Sequence, residues 1–234
     1  MLSSSTNLEI LFEDNHLIII NKRPGDLVQG DKTKDEPLCE IIKKYIKARD
    51  RKPGNVFLGV VHRLDRPTSG AVIFAKTSKA LARMNDLLKA KEVDKKYWAI
   101  VKNKPAKIEE TLISYLKKNP KNNKSTSFQK EMEGSKKAVL HYKVIRTLDR
   151  YFLLEVSLMT GRHHQIRCQL SKIGCPIKGD LKYGFDRSNS NASIHLHARR
   201  ISFLHPVKNE TISIICNPPK DPIWDECLAL KKEH

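Results

Sequence analysis

Residues 62–70 read His62-Arg63-Leu64-Asp65-Arg66-Pro67-Thr68-Ser69-Gly70, a polar segment between the apolar runs 56–61 and 71–75. Because proline and glycine are typical turn residues, the segment is predicted to be a loop held by a strand on each side. Two arginines flank Asp65, and nearby cations favour the ionised form of a carboxylate. The pattern therefore predicts either a surface turn with an Arg–Asp ion pair or a fixed carboxylate with a chemical role.

The charge of the whole chain indicates a polyanionic partner. Its 234 residues include 44 Lys and Arg but only 26 Asp and Glu, which gives a formal net charge of +18. The lysines are spread over the sequence and do not form one basic tail. Such a surface attracts RNA or DNA, while solubility alone and attraction to anionic membranes are the alternative explanations.

Several classes of protein are disfavoured by what the chain lacks. No run approaches the roughly 18 apolar residues of a membrane span, and the first residues lack the pattern of a signal peptide. We therefore expect a cytoplasmic protein with no membrane partner. The odd number of cysteines and the absence of a Cys-x-x-Cys pair argue against disulfides and zinc. His163-His164 and His195-x-His197 have no carboxylate at a metal-ligand spacing, so no metal is expected.

Apolar spacing predicts both helices and strands along the chain. Helices are predicted at residues 36–49, from residue 78 onward and after residue 162 to Gly174. Strands are predicted within residues 8–21 as a pair, and at residues 56–61, 71–76, 96–101, 137–148, 151–159, 194–198, 201–204 and 211–215. Because strands follow one another without regular helical crossovers, the prediction is an α+β fold with a mixed, largely antiparallel sheet and flanking helices.

Three segments together resemble the RluA-type pseudouridine synthases. They are His-Arg-Leu-Asp-x-x-Thr-Ser-Gly at 62–70, Lys-x-Tyr ending at Tyr97, and Thr-Gly-Arg-x-His-Gln-Ile-Arg at 160–167. Further matches are Asn21-Lys22 through Gly25, Gly179-Asp180, Tyr183-Gly184, His197-Ala198 and His205-Pro206. The resemblance thus extends over residues 10–220 and implies the fold of that family, with a central catalytic cleft.

The resemblance implies isomerisation of a uridine in RNA without any cofactor. The N1–C1′ glycosidic bond breaks, the uracil turns, and a C5–C1′ bond forms. Asp65 would be the catalytic carboxylate, and spacing leaves open whether it acts at the sugar or helps to remove a proton. Tyr97 would lie against the target base, and Arg167 would pair with Asp65 and keep it ionised.

RNA-contacting residues are carried over in the same way. Arg63 would enter the space that the target nucleotide leaves, because chemistry on a base requires taking it out of the stack. Arg66 would contact phosphate, and Arg162, His163 and Lys22 complete the expected RNA-binding set. Hydrogen bonds that fix the loop are expected from His62, Thr68 and Ser69.

The resemblance also shapes the expected domain organisation. Arg23 separates Lys22 from Pro24, where the family often has the two adjacent, which leaves the role of that loop open. The chain begins shortly before its first predicted strand, so residues 1–234 are expected to form a single catalytic domain without a separate N-terminal RNA-binding domain. The polar residues 117–136 are predicted to be a basic mobile insertion that contributes to target selection.

Two rival functions are compatible with part of the pattern. An RNA-binding protein without catalysis would explain the charge but not the combination of Asp65, Tyr97 and Arg167. A nucleic-acid hydrolase would require a metal cluster or a His–carboxylate pair, and the sequence suggests neither. We therefore expect a monomeric isomerase that acts on ribosomal or transfer RNA.

Overall fold

A computed structural model describes residues 2–31 and 33–229 of the chain. The chain divides into two compact units. Unit 1 consists of Met1–Lys95 and Ala198–Asn217, and unit 2 consists of Lys96–His197 and Pro218–His234. Each unit combines strands with helices, so the predicted α+β class is confirmed.

Strands and helices alternate irregularly along the chain. The strands are β1 (Ile10–Glu13), β2 (Leu17–Lys22), β3 (Gly59–Val60), β4 (Ser69–Ala75), β5 (Asp94–Val101), β6 (Glu109–Asn119), β7 (Lys124–Phe128), β8 (Lys136–Thr147), β9 (Phe152–Leu158), β10 (Leu196–Leu204) and β11 (Thr211–Ile215). The helices are α1 (Leu38–Arg49), α2 (Ser78–Ala90), α3 (Gln165–Lys172) and α4 (Pro222–Leu228), with a 3₁₀ turn at Leu181–Tyr183.

In unit 1, the sheet around β2 and β4 is covered on both faces. β1 pairs with β2, β2 with β4, β3 with β4 and β10 with β11, all antiparallel. Alternate residues of β2 and β4 pack on opposite sides, one side against Met84 of α2 and the other against Leu38 and Ile42 of α1. Because both faces are buried, these strands consist of nearly continuous apolar residues. The Asp65 loop leads directly into β4 and is anchored to this core.

Unit 2 contains a second set of antiparallel pairings. β5 pairs with β9, β9 with β8, β8 with β6 and β6 with β7. α4 packs its Trp224 against Ile100 of β5 and Leu153 of β9. α3 contacts β7 through the Cys168 thiol, which lies 3.3 Å from the carbonyl oxygen of Ser125.

The structure shows regular secondary structure within residues 117–136, the segment predicted to be a basic mobile insertion. Residues up to Asn119 continue β6, and Lys124–Phe128 form β7, so most of the segment is a β-hairpin. The tip turns through Asn119 and Asn122, whose side-chain oxygens accept from the backbone N–H groups two residues later. Pairing between the two strands satisfies the backbone hydrogen-bonding groups of the hairpin. The hairpin residues in this segment form no apolar face, so hydrophobic periodicity does not reveal the strands. The mobility of the segment stays a prediction.

Two other elements differ from the sequence-based expectation. Residues 194–198 and 201–204 were predicted as separate strands, but β10 continues through Arg199-Arg200 because β11 pairs with it there. α4 was not predicted. Asp221 caps this short helix by accepting from the backbone N–H of Ile223, at 3.0 Å.

Gly70, at the end of the Asp65 loop, lies close to the backbone of β10. Its φ is +117°, and a Cβ atom there would lie 2.5 Å from the backbone nitrogen and oxygen of Ala198. Real Cβ atoms do not approach backbone atoms so closely, and this φ is unfavourable for any residue with a side chain. Glycine is therefore required at this position.

We predict that Gly70→Ala destabilises the protein by about 3 kcal/mol, because it combines backbone strain with a clash against β10. Urea unfolding monitored by circular dichroism measures the change. Gly54→Ala is the matched control, since a Cβ at Gly54 meets nothing within 4 Å, and it should change stability by no more than about 0.5 kcal/mol. Equal effects of the two substitutions would contradict the requirement for glycine at Gly70.

Candidate active site

The Asp65 loop is organised by a lysine beneath it. Lys22, the last residue of β2, has an exposed fraction of 0%. Its Nζ donates to the carbonyl oxygens of Arg23 at 2.9 Å, Arg66 at 3.0 Å and Thr68 at 2.7 Å. An ammonium group has three N–H donors, so all of them are used. The backbone immediately after Asp65 is thereby fixed to the core of unit 1.

The charge of Lys22 also acts on the carboxylates around it. Burial lowers the pKa of Lys22, while the charges of Asp26 and Asp65 oppose that shift and Arg66 adds to it. The three carbonyl acceptors around Nζ favour the charged ammonium form. Lys22 and Asp65 thus interact electrostatically within the same loop region. A completely buried ammonium cannot touch a phosphate, so the structure corrects the predicted RNA contact of Lys22 to a role in holding the loop.

Further hydrogen bonds fix the two ends of the loop. The Thr68 N–H donates to the Asp65 carbonyl at 3.0 Å, and the Gly25 N–H donates to the Arg66 carbonyl at 2.8 Å. On the other side, the Ile73 N–H donates to His62 Nε2 at 3.2 Å. Burial, with a smaller contribution from Lys95, lowers the pKa of His62 to about 3, so its ring is neutral and can accept. The predicted loop-fixing role of His62 agrees with this geometry.

Both arginines beside Asp65 lie at the surface. Arg66 Nη2 is 2.7 Å from Asp35 Oδ2, in an ion pair whose side chains are both partly exposed. The charge of Arg66 is therefore partly neutralised in the absence of RNA. Arg63 borders an open groove of unit 1. The exposure of Arg63 and Arg66 is compatible with the RNA contacts predicted for them. These contacts stay predictions.

In unit 2, Arg167 of α3 forms a buried ion pair. Its Nε and Nη2 donate to the Oδ2 and Oδ1 atoms of Asp180 at 2.7 and 2.8 Å. The guanidinium carbon also lies 5.1 Å from the centre of the Tyr183 ring. Both charged side chains are at most 5% exposed. A bidentate pair of this kind fixes the direction of the arginine as well as its charge.

A hydrogen-bond network joins the start of α3 to the β6–β7 hairpin. The Tyr183 hydroxyl accepts from the Ser125 N–H at 2.8 Å and lies 3.0 Å from His164 Nδ1. Burial is the main cause that lowers the pKa of His164 to about 2, so the neutral ring accepts from the hydroxyl. His163 Nδ1 lies 2.9 Å from Ser125 Oγ, which also donates to the His163 carbonyl at 2.8 Å.

The remaining predicted residues of unit 2 differ in exposure. Arg162 is exposed, and its Nε donates to the Lys137 carbonyl at 2.9 Å. Tyr97 is buried in β5, opposite Val156 of β9. The predicted roles of Tyr97 at the target base and of Arg167 beside Asp65 stay predictions, as does the RNA contact of Arg162.

Within the part of the chain that the structure describes, no group of three or more His, Cys, Asp and Glu residues could hold a metal ion. No helix in these residues is long and apolar enough to cross a membrane. His195 instead lies 3.1 Å from Asp221 and stacks on Trp224, so it serves the packing of α4.

A scan against protein families matches residues 16–172 to the model described as RNA pseudouridylate synthase. This match covers more than half of the chain and includes the Asp65 loop, Tyr97 and α3. The chain belongs to the RNA pseudouridine synthase family. Its RluA-type resemblance is thereby confirmed, and membership makes it an isomerase that acts on RNA.

Relatives and solved structures agree with this assignment. The chain is 33% identical over 218 residues to an uncharacterised RNA pseudouridine synthase of Synechocystis, covering 91% of this chain and 66% of that protein. It is 31% identical to the ribosomal large subunit pseudouridine synthase D of Zymomonas mobilis, covering 92% and 70%. The human RNA pseudouridylate synthase domain containing 4 superimposes with a TM-score of 0.76 at 25% identity, covering 92% and 90%. The predicted pseudouridine synthase fold is confirmed.

Sequence reasoning assigned no role to three residues of this pseudouridine synthase that prove central to unit 2. Asp180 binds Arg167, while Tyr183 and Ser125 connect α3 with β7. Asp180 and Tyr183 lie in dipeptides that belong to the family resemblance, and that signal was present in the sequence. The burial of Arg167, which requires an acidic partner, is known only from the structure. Ser125 carries no comparable signal.

We predict that Asp180→Asn destabilises the synthase by about 3 kcal/mol, because it leaves the buried Arg167 charge uncompensated. Asp86→Asn is the matched control. It breaks the ion pair between Asp86 and Lys89, whose side chains are 74% and 80% exposed, and should cost at most about 0.5 kcal/mol. Chemical unfolding of the three proteins gives the comparison, and a small effect at Asp180 would argue against a structural ion pair.

We also predict a loss of stability in acid that depends on His164. An unfolded histidine has a pKa of about 6.5, so below that pH the unfolded chain binds a proton that the folded chain excludes. The contribution of His164 to stability is therefore complete above pH 6.5 and declines as the pH falls towards 2. The slope reaches about 1.4 kcal/mol per pH unit.

His164→Asn tests this dependence. Asparagine tolerates the left-handed backbone at φ +52° and offers an acceptor to Tyr183, but it does not titrate. Urea unfolding at neutral pH and near pH 5 should show that the wild type loses about 2 kcal/mol more than the variant. Parallel losses in the two proteins would contradict the assignment.

Proposed function

We propose that this protein isomerises a specific uridine in ribosomal or transfer RNA to pseudouridine, with Asp65 as the catalytic carboxylate. The observation that carries the proposal is the fixed Asp65 loop. The buried Lys22 ammonium binds the carbonyl oxygens of Arg66 and Thr68, and His62 anchors the other side. A catalytic group must be held within a fraction of an ångström of its productive position, and these bonds provide such support.

The reaction exchanges one bond to the ribose for another. The N1–C1′ bond breaks, C5 of the turned uracil bonds to C1′, the proton on C5 is released, and N1 receives a proton. The Asp65 carboxylate assists this exchange by attacking or stabilising an electron-poor carbon, or by accepting the C5 proton. Because uridine and pseudouridine are isomers, no oxidant or group donor is consumed.

Tyr97 and Arg167 complete the proposed catalytic set. Tyr97 would contact the target base with its ring or hydroxyl. Arg167 would stabilise the ionised form of Asp65, and its own position is fixed by the bidentate contact with Asp180. An arginine held in this way loses little side-chain entropy when it meets a second carboxylate.

The basic surface supports RNA as the substrate. The formal charge of +18 favours association with phosphates, which dominate the affinity of proteins for nucleic acid. Arg63, Arg66 and Arg162 are exposed, so that phosphates can reach them. The β6–β7 hairpin adds Lys117, Lys118, Lys121 and Lys124 without an acidic residue from 117 to 128.

Large-subunit ribosomal RNA is the first substrate to test. Relatives from Zymomonas mobilis and Yersinia pestis are named ribosomal large subunit pseudouridine synthases D and C, at 31% and 33% identity. We therefore rank a uridine in this RNA ahead of one in transfer RNA. Transcripts of both RNAs, tritiated at uracil C5, distinguish the two by which of them releases tritium.

We predict that Asp65→Asn reduces tritium release at least about a thousandfold, because the amide cannot act as a nucleophile or base. RNA affinity in a filter-binding assay should change by less than about 1 kcal/mol, since phosphate contacts dominate it. Asp149→Asn, at an exposed turn between β8 and β9, is the matched control and should retain full activity. Turnover that persists in Asp65→Asn would remove Asp65 from the catalytic role.

A further inference from the structure

A groove in unit 1 lies beside the Asp65 loop and is not used by the proposed chemistry. It has a volume of about 770 Å³ and lies between α1 and the residues that lead into the loop. Ligand sites typically measure about 300–1,000 Å³. The groove is therefore large enough for a nucleotide, and its lining includes His62 and Arg63, which precede Asp65 by three and two residues.

The lining of the groove combines apolar and polar side chains. Leu58 and Val61 are buried and Val60 is half-buried, so we take them as the floor, while the exposed Gln29, Glu40 and Arg63 are taken as the rim. An apolar floor suits the face of a nucleobase, while polar groups on the rim can reach its edge. RNA-binding proteins recognise unpaired bases by these two kinds of contact.

The rim presents an acceptor beside a donor. Glu40 and Lys43 both line the groove, and Lys43 Nζ lies 2.9 Å from Glu40 Oε1. Both side chains are between one third and one half exposed, so a ligand can reach them. A carboxylate accepts from an exocyclic amino group, and an ammonium donates to a ring nitrogen or carbonyl. Adenine, cytosine and guanine offer an amino group, whereas uracil does not.

Arg63 connects the groove to the proposed reaction. It lines the groove and precedes Asp65 by two residues, which an extended chain spans in about 7 Å. The nucleotide that approaches Arg63 is therefore a close neighbour of the uridine that reaches Asp65. Its phosphate would be attracted by the arginine charge.

We propose that this groove binds the unpaired base of a nucleotide adjacent to the target uridine, and that Glu40 selects bases that carry an exocyclic amino group. The inference rests on the proposed function, and it assigns to α1 a part in choosing the substrate. The groove would thus contribute sequence specificity, while the arginines and lysines supply affinity that does not depend on sequence.

Kinetics on stem–loop transcripts tests the specificity. Each transcript carries a single tritiated uridine in its loop, with one neighbouring position set in turn to each of the four bases. For the wild type, uracil on one side of the target should lower kcat/KM at least about fivefold relative to the preferred base. In Glu40→Ala this difference should disappear.

Glu36→Ala is the matched control. Glu36 is exposed just before α1 and pairs with Lys44, and it does not line the groove. This variant should retain the base preference of the wild type. A preference that persists in Glu40→Ala, or that is lost equally in both variants, would overturn the role of Glu40.

A crosslinking experiment tests the groove without relying on catalysis. The Asp65→Asn protein is irradiated with a stem–loop pool that has a randomised loop, and crosslinked peptides are identified by mass spectrometry. Crosslinks within residues 29–43 or 58–63 support the groove, and their absence overturns it. If such crosslinks form but the wild type releases no tritium from any RNA, the proposed function fails while base binding in the groove stands.

Discussion

The contact of the Lys22 ammonium with three carbonyl oxygens is the interaction on which the Asp65 loop depends. Moving an ammonium out of water costs several kcal/mol unless its donors are satisfied. The carbonyl groups of Arg23, Arg66 and Thr68 satisfy all of them. The loop therefore cannot relax without leaving a buried charge unpaired. The position of Asp65 is therefore set by the core of unit 1 and not by flexible surface contacts.

Unit 2 also contains a buried cation, Arg167, whose position is fixed by the groups that bind it. The buried guanidinium of Arg167 is fixed by Asp180 and by the ring of Tyr183. Tyr183 in turn connects to His164 and Ser125, so α3, the 3₁₀ turn and the β6–β7 hairpin share one polar network. Buried polar networks in which the groups find partners specify a single arrangement. This network therefore fixes the position of Arg167, the arginine that the family resemblance assigns to catalysis.

Much of the fold followed from local sequence, and the exceptions have identifiable causes. β2 and β4 are apolar on both faces, and Thr77 caps α2 through the Ala80 N–H, so periodicity and capping residues predicted them. Residues 117–119 and 124–128 were not predicted as strands, because they are mostly polar and a turn-rich segment separates them. α4 was not predicted because it is only 7 residues long and is held by the packing of Trp224 against Ile100 and Leu153, which no repeated apolar pattern indicates.

The sequence by itself determined the chemistry that the chain can offer. The residues around Asp65, at 95–97 and in 160–167 identified the family, because each of these motifs is contiguous in the sequence and can be read without knowledge of the fold. Only the tertiary structure decided which charges are buried and what they bind. Lys22 meets carbonyl groups 44 and 46 residues further along the chain, and was mistaken for an RNA contact until its burial was known. Burial results from the packing of distant segments, and no local pattern encodes it.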